Sequence, residues 1–165
     1  PSTYYRPDRP FIRSTNERSI IMDIIRDLNP KSILDIGVGS GFYGEMIRRD
    51  LPEVILDGVE TFDYNNYRWY FYDHIIRENI LTLEPGKYDL YLMVDIIEHM
   101  SKEEGHILLQ RLGRPVLVST PWHYIQGPDE NPLQEHVSEW TLADFSIYRY
   151  YNYSNYLSAI VLIGG

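Results

Sequence analysis

The stretch Leu34-Asp35-Ile36-Gly37-Val38-Gly39-Ser40-Gly41 decides how this chain is read. Ser32 to Ile36 is a short apolar run that breaks into Gly37, and Gly41 to Arg49 resumes a helical pattern, so the segment reads as strand, glycine loop, helix. A backbone that turns sharply between strand and helix uses glycine for positive φ and to let a ligand touch the main chain. Gly39-Ser40-Gly41-Phe42-Tyr43-Gly44 also satisfies the G-x-G-x-x-G pattern of a dinucleotide site. Register argues against a nicotinamide dehydrogenase. In such a site the strand runs directly into the first glycine, and counting from Gly37 puts Phe42 where the third glycine belongs.

Outward from this loop, apolar runs alternate with helical patterns. Upstream, Thr15 or Asn16 caps a helix whose Ile20, Ile21, Ile24, Ile25 and Leu28 recur at helical spacing until Asn29-Pro30 stops it. Downstream, Val54 to Glu60 reads as a second strand, Phe62 to Tyr72 as an aromatic-rich helix and His74 to Asn79 as a third strand. Asp89 to Asp95 is a buried fourth strand, Glu103 to Leu112 a helix and Pro115 to Pro121 a fifth strand. Ile147 to Tyr151 and Leu157 to Ile163 form a closing antiparallel hairpin. The expected fold is α/β: a seven-stranded, mostly parallel sheet with helices on both faces. Residues 1–14, with three prolines, read as an N-terminal arm and residues 15–165 as one domain.

Composition narrows the function classes. The 165 residues hold 24 acidic and 15 basic side chains, a net charge of −9, which disfavours wholesale nucleic-acid binding. No cysteine is present, so disulfides, Cys-based zinc sites and thiol nucleophiles are excluded. The longest apolar run, near Leu157 to Ile163, is far shorter than the ~20 residues of a membrane span, and the start lacks a signal-peptide centre. The expected compartment is the cytoplasm.

The loop Asp35-x-Gly37-x-Gly39-x-Gly41 resembles the first motif of the class I S-adenosylmethionine (SAM) dependent methyltransferases, a Rossmann-like family. The resemblance implies SAM as cofactor, with Asp35, Gly37, Gly39 and Gly41 in its loop and Glu60, at the end of the second strand, accepting from both ribose hydroxyls. Asn79-Ile80 matches the adenine position, where the family usually has Asp; an Asn oxygen accepts from the adenine amino group and its NH₂ donates to a ring nitrogen. Asp95, ending the fourth strand, completes the set. A binding or scaffold protein that keeps the fold without turnover is the competing class.

Methyl transfer from a sulfonium needs an in-line nucleophile, and a hydroxyl acceptor also needs a base or metal. Asp95-x-x-Glu98-His99 and the later His136 before Glu139-Trp140-Thr141 resemble the metal-dependent small-RNA 2′-O-methyltransferases and, more loosely, the ubiquinone-pathway O-methyltransferases, with Asp95 in place of a Glu. If Asp95, Glu98, His99 and His136 converge, they offer a Mg²⁺ or Mn²⁺ site; if not, His99 or His136 is the expected general base. Metal-free relatives also carry Glu-His after this strand. His74, His106 and His123 read as structural, and Trp122, Tyr124 and Trp140 as pocket walls or core seals.

From Trp122 to Phe145 there is no Lys or Arg against five acidic residues, so a small-molecule, sugar or protein acceptor fits better than RNA. Arg6, Arg9, Arg13 and Arg18 form the one basic cluster, either a phosphate grip or a solvated arm.

Overall fold

A computed structural model of the chain describes residues 16–63, 68–122 and 135–164. The arm expected over residues 1–14, the candidate cap Thr15, and His123 and Tyr124 lie outside them. The first helix, α1 (Glu17–Leu28), begins at Asn16, whose side chain accepts from the Ser19 amide, and ends where Asn29 takes a left-handed φ of 46° and donates to Ile25 O. Its Ile20, Ile21, Ile24 and Ile25 are buried against the sheet, as their spacing predicts.

β1 (Ser32–Ile36) leads through the glycine loop into α2 (Phe42–Asp50), followed by β2 (Ile55–Val59), β3 (His74–Ile76), β4 (Leu90–Val94), α3 (Lys102–Arg111) and β5 (Val116–Pro121). β6 (Tyr150–Asn152) and β7 (Ser158–Ile163) close the chain. The strands form one sheet in the order β3-β2-β1-β4-β5-β7-β6; β1 to β5 pair in parallel, and β7 is antiparallel to both β5 and β6. The fold expectation is met.

Side-chain alternation divides the core into two layers. Ile33, Leu56, Leu90, Leu92 and Leu117 meet the isoleucines of α1 on one face, while Leu34, Ile36, Tyr91, Met93 and Val118 meet α3, Trp140 and Phe145 on the other. Because β2 and β4 flank β1, the chain reverses its direction of winding there. The crevice at the carboxyl ends of β1 and β4 is where such sheets take ligands.

Three expected elements differ. The Phe62 to Tyr72 segment is not a helix in its described residues; only Trp69–Phe71 makes a single 3₁₀ turn, because Trp69 and Tyr72 turn inward to bond the glycine loop and Asp35. β3 stops at Ile76 instead of Asn79, since Asn79 starts a turn in which its side chain accepts from Leu81 N at 2.9 Å and its carbonyl from Leu83 N at 2.9 Å. The hairpin's first strand starts at Tyr150, not Ile147, because Tyr148 is still held in a turn by its amide bond to Phe145 O.

Candidate functional site

Gly37, Gly39 and Gly41 all take positive φ, at 81°, 57° and 87°, so the three glycines of the motif are required by the backbone they form. The amides of Gly37 and Val38 both donate to Val59 O, tying the loop to the end of β2. Glu60, next in sequence, completes the tie. Its Oε2 accepts from Gly39 N at 2.8 Å and its Oε1 from Thr61 N and Phe62 N at 3.0 and 3.1 Å. The carbonyl of Gly39 accepts from the Trp69 indole at 2.7 Å. A Cβ at Gly39 would meet nothing within 4 Å, so open space lies above this turn.

That space is a cleft of about 400 Å³ walled by Asp35, Gly37, Gly39, Glu60, Asn79, Ile80, Asp95 and His99. Gly41 is not in the wall; it caps α2 behind the loop. At the floor, Asp35 is 4% exposed and accepts from the Tyr72 hydroxyl at 2.5 Å. Burial pushes Asp35 up to about 7; the Tyr72 hydrogen bond opposes this and the Glu60 charge adds to it. Asn79 sits exposed at the rim with one lone pair of its side-chain oxygen already given to Leu81 N, while Ile80 is buried.

The opposite wall follows β4. Asp95 takes a left-handed φ of 55°, rare outside glycine, and the residue is exposed at the cleft mouth. Enclosure by the cleft walls and the charges of Glu17 and Glu98 push it up to about 7, against the pull of His99. Glu98 is 2% exposed: Oε2 accepts from Thr120 Oγ1 at 2.9 Å, whereas Oε1 is the one buried side-chain polar atom without a partner among the described residues. Burial raises Glu98 to about 7, with its own backbone and Thr120 opposing and the Glu17 charge adding.

His136 comes to this wall because the Val137 and Ser138 amides both donate to Glu98 O. The His99 and His136 rings meet edge to face with centroids 4.8 Å apart, and burial with the His99 charge lowers His136. His99 Nδ1 lies 3.1 Å from Glu135 O, an acceptor only, so Nδ1 carries a proton, and Nε2 lies 3.9 Å from Glu98 Oε1. Donor atoms of Glu98, His99 and His136 lie within 4.8 Å of one another. Asp95 is not in this group, so of the four side chains on whose convergence the metal reading is conditional, three come together.

Four residues of the site carried no motif. Tyr72 and Trp69 sit in the misread aromatic segment. Thr120 pairs with Glu98. Glu17, in the first turn of α1, accepts from Ser119 and Ser158 hydroxyls at 3.1 and 2.9 Å and fixes α1 over the ends of β5 and β7. An acid at a helix start reads as a dipole partner, so nothing in the sequence marked it. The remaining candidates are structural: Trp140 is fully buried, Trp122 donates to Asn155 O, His106 pairs with the Tyr148 hydroxyl and exposed His74 with Asp57. Arg18 stacks on Phe42 at 3.9 Å. No described helix is long and apolar enough to cross a membrane.

At the level of sequence, no family model and no curated protein matches the chain. Solved structures do. A candidate O-methyltransferase from Nostoc punctiforme aligns with a TM-score of 0.66 at 16% identity over 91% of this chain, which spans 56% of that protein. The methyltransferase domain of bacterial CtHen1-C aligns at 0.64 and 17% identity over 92% of this chain and 98% of that one. The N-terminal domain of EvdMO1, solved with S-adenosylhomocysteine bound, aligns at 0.62 and 14% identity over 91% and 80%. At these identities the likeness is one of fold. This chain spans about half the length of the Nostoc protein and nearly all of the CtHen1-C domain.

Proposed function

We propose that the chain is a SAM-dependent methyltransferase acting on a hydroxyl of a small molecule, sugar or protein side chain. The observation that carries this reading is the cleft itself: three positive-φ glycines, open space above Gly39, and the Glu60 carboxylate pinned at the strand end. Its volume falls in the range of small-ligand sites. The neighbours solved with S-adenosylhomocysteine support the same cofactor.

SAM supplies a methyl group on a sulfonium, which an acceptor oxygen displaces in line as the sulfur takes back the bonding pair. Glu60 Oε2, which accepts from Gly39 N alone, keeps a lone-pair site for a ribose hydroxyl, while Oε1 is already filled by the Thr61 and Phe62 amides and orients the carboxylate. Ile80 gives the adenine an apolar wall, and Asp35 and Asp95 give the charged end of the cofactor an anionic floor and mouth. His99 Nε2 takes the acceptor proton, its ring held by Glu135 O.

The unpaired Glu98 Oε1, with His99 and His136 beside it, would also fit a divalent cation of the Mg²⁺ or Mn²⁺ kind, which would lower the pKa of a bound hydroxyl. The cluster favours a second reading, methylation of an RNA ribose hydroxyl, in line with the resemblance of Asp95-x-x-Glu98-His99 and His136 to the small-RNA 2′-O-methyltransferases and against the net charge of −9. Calorimetry with SAM and S-adenosylhomocysteine is the first test; a folded protein that binds neither is not a methyltransferase. Labelled SAM with cell extract separated into small molecules, protein and RNA then finds the acceptor, and label in RNA alone selects the second reading. Activity that survives exhaustive chelation removes the cation and leaves His99 as base.

A further inference from the structure

We infer that Tyr72, a residue of no loop or strand-end motif, is a positioning residue for the cofactor cleft: its hydroxyl holds Asp35 in one orientation as an acceptor, and its ring seats the elements that carry the glycine loop. The inference rests on the SAM reading. Tyr72 is 7% exposed and touches three parts of the site at once. Its hydroxyl donates to Asp35 Oδ2 at 2.5 Å. A Cβ at Gly44 would lie 2.2 Å from its ring, so α2 packs on Tyr72 only because Gly44 has no side chain, and a Cβ at Gly58 of β2 would lie 3.2 Å from the same ring. One aromatic side chain therefore fixes β1, β2 and α2 around the loop they share.

The chemistry follows from what faces Asp35. Glu60 at the end of β2 repels it, Tyr43 on α2 and Tyr72 are neutral phenols, and Asp95 after β4 lines the same cleft. No Lys or Arg lines the cleft among the described residues. The Tyr72 hydroxyl is thus the group that favours the ionised Asp35, opposing burial and the Glu60 charge. The donor end of SAM carries an ammonium and a sulfonium, so an anionic, fixed Asp35 attracts it and a neutral one does not.

The test compares wild type with Tyr72→Phe, and with 3-fluorotyrosine placed at position 72 by codon reassignment. The ¹³C carboxyl signal of Asp35 is titrated in unliganded protein, and SAM affinity is measured by calorimetry from pH 6 to 9. Tyr72→Phe moves the Asp35 midpoint above its wild-type value and weakens SAM about tenfold at pH 7, the loss of one hydrogen bond to a charged group, with the gap closing toward pH 9. The fluorinated phenol, a stronger donor of nearly equal size, moves the midpoint down and needs no tolerance of a lost bond. An unmoved midpoint in either variant overturns the inference, as does a moved midpoint with an unchanged pH profile for SAM. Wild type that binds no SAM while Tyr72 still moves the Asp35 midpoint overturns the methyltransferase reading and the cofactor role together, leaving the clamp itself in place.

Discussion

Each side of the cleft carries a glutamate, Glu60 in its lining and Glu98 buried behind it, and their surroundings are opposite. Glu60, after β2, accepts from three backbone amides, those of Thr61 and Phe62 beside it and that of Gly39 in the glycine loop, whose carbonyl accepts from Trp69. Glu98, after β4, has one hydroxyl partner and one buried oxygen with none. The first wall is complete before any ligand arrives, and so is suited to recognition; the second keeps a cost that only a proton or a cation removes. Rigid binding and unfinished chemistry are placed on opposite sides of the topological switch.

Glu60→Ala breaks the first wall and has the largest effect. It strands the Gly39, Thr61 and Phe62 amides and removes the ribose acceptor, so SAM binding should weaken by about 1.5 to 3 kcal/mol, at least tenfold in Kd by calorimetry. An affinity within threefold of wild type would remove Glu60 from the ribose.

Glu98→Gln should act with the opposite sign. An amide carries no charge to bury, and its NH₂ faces His99 Nε2, so the variant should be more stable by about 1 kcal/mol in urea unfolding while losing most methyl transfer. A destabilised Glu98→Gln protein would mean that the orphaned oxygen is not a stored cost. The gain has a pH signature. Glu98 in the folded chain is raised to about 7 from an ordinary value of 4.5, so its contribution to stability is intact below pH 4.5 and fades as pH rises through 7. The advantage of Gln should therefore be least near pH 4, grow to about pH 7 and then level off, read as the difference between two Tm-against-pH curves.

Trp69→Phe sharpens the comparison with the smallest change. It frees the Gly39 carbonyl and keeps an aromatic ring under Arg77, so the cost should be about 0.5 to 1 kcal/mol, with SAM affinity reduced more than stability. Equal losses in both would make Trp69 a packing residue alone.

The first wall was legible in the sequence because its chemistry is local. Asp35, Gly37, Gly39 and Gly41 are fixed by a strand-to-helix turn that only glycine permits, and Glu60 by its place at a strand end. The succession of strands and helices along the chain followed from apolar runs alternating with helical ones. The aromatic segment misled because its rings serve distant partners: Trp69 bonds Gly39 and Tyr72 bonds Asp35, 30 and 37 residues away, and a helical period carries no trace of that.

The sequence by itself determined the alternation of strands and helices, the glycine turn and the acids at the strand ends, since each depends on side chains within one or two elements. Only the tertiary structure decided that His136 meets Glu98 and His99 while Asp95 stands apart, and that Glu98 is left half-paired. Those facts depend on the Val137 and Ser138 amides reaching the Glu98 carbonyl across 39 and 40 residues, and on burial. Both are properties of how elements pack, which no local pattern encodes.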